Sequence, residues 1–184
     1  MQNAWASSTI SLIVKSLNPD YEYCTLQTPF GKALLGWRPE GLAICRLLKD
    51  SETLPEGIIP LEQPSPLLAQ ARQELKEYFD QKRDRFSIEL YPEGTPFQQK
   101  VWEALLQTEW GETMSYLELS KKLGDPKAIR AVASANGQNP LWIFIPCHRI
   151  IGSNGELTGY AWGLECKSWL LNHESKTPQL TLNL

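Results

Sequence analysis

The stretch that decides the reading of this chain is Asn139-Pro140-Leu141-Trp142-Ile143-Phe144-Ile145-Pro146-Cys147-His148-Arg149-Ile150-Ile151-Gly152. Its first part is an apolar run, Trp142 to Ile145, that reads as a strand and is stopped by Pro146. A thiol and an imidazole follow at once. A rigid apolar segment that ends in a sharp turn can hold a nucleophile, because the backbone is fixed while the turn presents the side chain. Taken alone, a Cys-His dipeptide reads more readily as a small buried cysteine beside an ordinary turn residue.

Around this stretch the second half of the chain is helical and carries explicit start signals. Thr95-Pro96-Phe97-Gln98 combines a Thr cap, a proline in the first helical position and a Gln that closes a capping box, which predicts a helix to about Thr108. Ser115-Tyr116-Leu117-Glu118 is a second capping box, opening a short helix to Leu123. Gly124-Asp125-Pro126 ends it, and Asp125 as N-cap predicts a third helix from Lys127 to about Gly137. Two short helices joined by a tight turn resemble a helix-turn-helix, a pattern also common in plain helical cores.

The first half is patterned differently. Between residues 21 and 50, short apolar runs alternate with Thr28-Pro29-Phe30-Gly31 and Arg38-Pro39-Glu40-Gly41, which predicts a three-stranded antiparallel meander. Residues 53–65 form a proline-rich loop. Leu67, Leu68, Ala71, Leu75, Tyr78 and Phe79 recur at helical spacing over 65–82 and predict a helix that covers one face of the sheet. Arg85 to Tyr91 alternates as a further strand.

Composition narrows the function. The chain has 184 residues, 42% of them hydrophobic, and a formal net charge of −3, so a protein that grips nucleic acid through bulk positive charge is disfavoured. Residues 1–95 hold ten Lys/Arg against thirteen Asp/Glu and residues 96–184 hold eight of each, together the 18 and 21 of the whole chain. Any contact with DNA must therefore be local. Cys24, Cys45, Cys147 and Cys166 form no C-x-x-C pair and there are only two histidines, His148 and His173, so free thiols and no metal are expected. No cofactor is expected either. No apolar run approaches the ~20 residues of a membrane span. An intracellular, cytoplasmic protein is expected, nuclear in a eukaryote, with no membrane partner.

The segment from Thr95 to Glu174 resembles the catalytic domain of the O6-alkylguanine-DNA alkyltransferases, the methylated-DNA–protein-cysteine methyltransferases. The resemblance rests on Thr95-Pro96-Phe97-Gln98 with Val101-Trp102, Gly111-Glu112-Thr113 with Ser115-Tyr116, and Pro126-Lys127-Ala128 with Arg130-Ala131-Val132. It continues through Ala135-Asn136-Gly137, Asn139-Pro140, Ile145-Pro146-Cys147-His148-Arg149-Ile150-Ile151-Gly152, Gly159-Tyr160, Lys167 and Trp169-Leu170-Leu171.

That resemblance implies an α/β plus α architecture: an N-terminal ribonuclease-H-like domain at 1–92 with an antiparallel sheet and helix, a winged-helix-like (helix-turn-helix) domain at 93–176, and a tail at 177–184. It implies a monomer that binds double-stranded DNA through the minor groove. The implied reaction moves an alkyl group from O6-alkylguanine, and from O4-alkylthymine, onto Cys147, once per molecule. By the same resemblance His148 takes the thiol proton through a water, Glu174 holds the imidazole and Asn139 braces the turn. Tyr116, Arg130, Ala131, Ala135, Ile150, Ser153, Ala161 and Trp162 are the implied DNA and substrate contacts. Arg130 fills the gap of the flipped base, and the Cys147 and Ile150 carbonyls and the Ala161 amide read the guanine. Trp162 stands where many relatives have glycine. Two other functions stay open at this level: a non-catalytic sensor of alkylated DNA, which Cys147 opposes because such proteins lack the acceptor, and a transcription factor, which the missing basic patch opposes.

Overall fold

The computed structural model describes residues 17–49 and 52–175, so the expected tail at 177–184 lies outside the described residues. These residues form two compact units. One runs up to Glu93 and includes Pro140–Phe144; the other comprises Gly94–Asn139 and the chain from Ile145 onward.

In the first unit the meander forms as the turn signals require: β1 (Glu22–Thr28), β2 (Gly31–Arg38) and β3 (Gly41–Leu47), antiparallel in that order. The first hairpin closes with Thr28 opposite Gly31. The Thr28 hydroxyl donates to the Gly31 carbonyl at 2.7 Å and accepts from the Phe30 amide at 3.2 Å. Between β2 and β3 the register shifts at Gly36/Trp37. A Cβ at Gly36 would lie 2.7 Å from the Tyr23 ring, so only glycine lets that ring lie flat on the strand. Helix α1 (Pro66–Phe79) buries Leu68, Ala71, Leu75 and Tyr78, the face that the 3.6-residue period predicts.

The expected strand at 85–91 does not form. Only Leu90 pairs, in a parallel bridge to Leu42, because the Ser87 amide, which a ladder would need, donates instead to Glu74 Oε2 at 2.8 Å. The expected strand at 142–145 is also absent. The Cys45 amide and carbonyl bond to Pro140 O and Trp142 N at 2.9 and 2.8 Å, and the chain then turns at Ile143, which has a φ of 70°. Hydrophobicity marked this run as buried, and it is, but by a turn and not by a ladder. Pro140–Phe144 packs as part of the first unit although its sequence neighbours belong to the second.

In the second unit both capping boxes form. Thr95 and Gln98 start α2 (Pro96–Leu105), which ends three residues before Thr108; Ser115 and Glu118 start α3 (Tyr116–Lys122). After the left-handed Gly124 (φ 89°), Asp125 does not cap the next helix. Its carboxylate accepts from the Lys127 amide at 2.9 Å, making a turn of its own, so α4 begins only at Ile129 and runs to Gly137. A pairing with no sequence signal joins β4 (Met114–Ser115) in parallel to β5 (Ile150–Ile151). Helix α5 (Leu164–Glu174) closes the unit. Among the described residues no helix is long and apolar enough to cross a membrane.

Candidate active site

Every side chain of the site belongs to the second unit. Pro146, at φ −81° and ψ 59°, makes an inverse γ-turn in which the Cys147 amide donates to Ile145 O at 2.8 Å. Cys147, His148 and Arg149 follow as one turn of 3-10 helix, all three buried. The turn is braced from outside, where Asn139 Nδ2 donates to Ile145 O at 2.8 Å and to Cys147 Sγ at 3.1 Å. One amide of Asn139 thus contacts both the backbone of the turn and the sulfur itself.

On the other side of the turn, His148 Nε2 lies 2.8 Å from Glu174 Oε1, with both side chains at 1% exposure or less. Glu174 sits in the last turn of α5, where the carbonyl end of the helix disfavours a negative charge. Burial also opposes ionisation. His148 and the guanidinium of Arg149 outweigh burial and hold the carboxyl well below the usual range. For His148 the balance falls the other way. Burial pushes its pKa down, and the charges of Arg149 and Lys167 add to that, against the opposing pull of Glu174. The imidazole is therefore neutral near pH 7, Nε2–H donates to Glu174, and Nδ1 keeps its lone pair. Nδ1 is buried and has no hydrogen-bond partner among the described residues.

Burial likewise pushes the Cys147 thiol up, against the hydrogen bond from Asn139, the charge of Lys167 and the influence of the Tyr160 hydroxyl. The resting sulfur is thus a thiol, with three groups placed to stabilise the thiolate once its proton is removed. Lys167 is the least expected of them. Fully buried in α5, its Nζ donates to Ile150 O at 2.5 Å and to Thr158 O at 2.9 Å, lies 5.9 Å from the ring centroids of Tyr116 and Tyr160, and is pushed down to about 8 by burial. Tyr116 follows β4 directly. It is half-buried and close enough to Cys147 for the two to interact electrostatically, its hydroxyl being pushed up to about 12 by burial and by that neighbour.

The site thus gathers Asn139, Cys147, His148, Glu174, Tyr116 and Ile150. One lone pair of the Ile150 carbonyl, expected to face a substrate, is already taken by Lys167. The remaining expected contacts lie elsewhere in the unit. Arg130 and Ala131 are exposed on α4, Ser153 is exposed in the following loop, and Ala161 and Trp162 are half-buried in the turn before α5. Ala135 is buried at 3% exposure, and its carbonyl accepts from the Trp102 indole at 2.8 Å, so it faces the interior of the unit. Sequence reasoning assigned no role to Arg149, Lys167, Tyr160 or Asn136, whose Nδ2 is 3.4 Å from the Cys147 carbonyl. No sequence signal marked Arg149 and Lys167, since Lys and Arg are almost never fully buried unless paired and their partners here come from other segments. Among the described residues no group of three or more His, Cys, Asp or Glu is placed to hold a metal ion.

Residues 96–176 match the family model described as the 6-O-methylguanine DNA methyltransferase DNA-binding domain. The chain is 42% identical over 154 residues to a methylated-DNA–protein-cysteine methyltransferase of Methanosarcina acetivorans, covering 83% of this chain and 97% of the relative. It is 43% identical over 157 residues to the constitutive methyltransferase of Bacillus subtilis, covering 83% and 94%. Among solved structures it is similar to Mycobacterium tuberculosis OGT in complex with DNA, with a TM-score of 0.75 and 39% identity over 85% of this chain and 95% of that one.

Proposed function

Because the chain belongs to the family of methylated-DNA–protein-cysteine methyltransferases, we propose that it repairs DNA by moving an alkyl group from O6 of guanine, or O4 of thymine, to its own Cys147. The observation that carries this reading is the buried line of groups from Asn139 on Sγ, through Cys147 and His148, to Glu174. A buried thiol needs a base, and the adjacent neutral imidazole with an unpartnered Nδ1 is that base. The thiol proton passes to Nδ1 through a bridging water, and the imidazolium is stabilised by Glu174. Sγ attacks the alkyl carbon in line with the C–O6 bond. A C–S bond forms, the C–O bond breaks, and the guanine leaving group takes the proton back from His148. The thioether has no easy route back to thiol, so each molecule acts once, and no cofactor enters the balance.

A thiol cannot reach an O6 substituent inside a stacked duplex, so the damaged nucleotide is flipped out. The α3–turn–α4 pair acts as the helix-turn-helix of a winged-helix-like domain, 93–176, beside a ribonuclease-H-like domain, 1–92. The exposed Arg130 on α4 fills the vacated stack from the minor groove, and Ala131 lets the helix backbone approach. The net charge of −3 fits such a local grip better than wide phosphate neutralisation. Ser153, Ala161 and Trp162 border the alkyl pocket, and the protein works as a monomer in the cytoplasm, where its four free thiols stay reduced.

Intact-mass analysis after mixing with duplex containing O6-methylguanine tests the reading. One methyl per chain, mapped to the peptide containing Cys147 and absent from Cys147→Ala, is the expected result. A methyl on another residue, or many turnovers by one molecule, overturns it.

A further inference from the structure

Arg149 is one of the most heavily bonded side chains of the site, and the transfer chemistry above gives it no role. Its Nε donates to Glu174 Oε2 at 2.7 Å, its Nη2 to Glu174 Oε1 at 3.0 Å and its Nη1 to Thr108 O at 2.5 Å, all within a buried cluster. Glu174 Oε1 is shared, accepting also from His148 Nε2 at 2.8 Å. Three segments are thereby tied at one guanidinium: the loop after α2 through the Thr108 carbonyl, the 3-10 turn that carries Arg149, and the end of α5 through Glu174.

Resting on the reading of Cys147 as acceptor, we propose that Arg149 is a positioning residue of the transfer: by taking both oxygens of Glu174 and the Thr108 carbonyl, it fixes that carboxylate as the acceptor for His148 Nε2–H and cancels most of its charge, so that His148 stays a neutral base with Nδ1 free. The argument is electrostatic. An ionised carboxylate at hydrogen-bond distance favours imidazolium, and an imidazole already protonated cannot accept the thiol proton. The charged groups acting on His148 are Glu174 and Lys167 of α5 and Arg149 of the 3-10 turn; of these only Glu174 pulls toward the charged form, while Arg149 and Lys167 push against it. A fork is required as well as a charge, because two oxygens and a carbonyl must be met in fixed directions and only the planar guanidinium does this.

The test uses the full-length chain and compares Arg149→Gln, which keeps donors and loses charge, with Arg149→Lys, which keeps charge and loses the fork. His148 is followed by NMR, which is tractable because His173 is the only other histidine. In the native protein His148 should titrate below the ordinary 6.5 and carry its neutral proton on Nε2. In Arg149→Gln the titration and the acid limb of the single-turnover rate should rise together by about one pH unit, a roughly tenfold rate loss below that limb. Arg149→Lys should leave the acid limb in place and slow transfer at every pH. An imidazolium at pH 7 in the native protein, a proton on Nδ1, or identical pH profiles in the native and Gln proteins each overturn the proposal; if the Gln variant does not fold, the native charge and tautomer still decide it. Failure of the native protein to place a methyl on Cys147 would instead overturn the reading beneath it.

Discussion

Replacing Asn139 by alanine removes two hydrogen bonds that do different things, and the structure lets their effects be separated. The bond to Ile145 O, 2.8 Å long, satisfies a carbonyl in a fully buried residue. That carbonyl keeps the Cys147 amide as a donor, so losing the Asn139 bond costs about 0.5–1.5 kcal/mol of stability. At about 2–4 °C per kcal/mol for a chain of this size, that is a clear drop in melting temperature. The bond to Sγ, 3.1 Å long, matters little while the sulfur is a thiol and strengthens when it becomes thiolate. A hydrogen bond to a charged group is worth about 1.5–3 kcal/mol, and about 1.4 kcal/mol corresponds to one pH unit. Since Asn139 already pulls the thiol down against burial, its loss should raise the thiol further, slowing transfer about 10–100-fold near neutral pH. The assay pairs a thermal melt with pH profiles of two reactions of Cys147: single-turnover methyl transfer from duplex DNA, and alkylation by iodoacetamide read by peptide mass. Asn139→Ala should shift both profiles alike. If it melts earlier but leaves both profiles where they were, Asn139 only braces the turn and the contact with sulfur does not matter.

Stability should fall on acidification in two stages. His148 has its folded pKa below 6.5 and Glu174 has its own well below 4.5, so in both cases the unfolded chain binds more protons and folding weakens as pH drops. Urea midpoints should decline first below about pH 6.5, from His148, and again below about 4.5, from Glu174; midpoints that stay flat from pH 8 to 4 contradict the charge states assigned here. Gly111 should prove irreplaceable for a reason that Gly124 does not share. Both have positive φ, 76° and 89°, but a Cβ at Gly111 would lie 2.9 Å from the Glu174 carbonyl oxygen, whereas at Gly124 it meets nothing within 4 Å. Gly124→Ala should therefore cost only the left-handed strain of about 1–2 kcal/mol, while Gly111→Ala should cost more and also slow methyl transfer by displacing Glu174; equal effects on melting and rate refute this.

Much of this protein is written in local sequence. The hairpin turns at 28–31 and 38–41, the buried face of α1 and the capping boxes at Thr95 and Ser115 are all determined within a few residues, by turn chemistry, period and hydrogen-bond pairing, so they can be read from the sequence alone. Cys147, His148 and Glu174 could be singled out only because their residue types recur at the spacing of a known family. What tertiary structure decided is everything that depends on a partner distant in sequence. Ser87 leaves the expected strand because Glu74, thirteen residues back, takes its amide. The apolar run at 142–145 looks the same to a hydrophobicity pattern whether it is a buried strand or a buried turn, and pairing with Cys45 made it the latter. Met114 and Ile150 carry no mark of their pairing, although it brings Tyr116 to the site. Arg149 and Lys167 read as charges that solvent would take up; only the folded chain shows Glu174, Thr108, Ile150 and Thr158 closing around them, because a buried charge is tolerated where acceptors from several segments converge, and convergence is a property of the fold and not of any one segment.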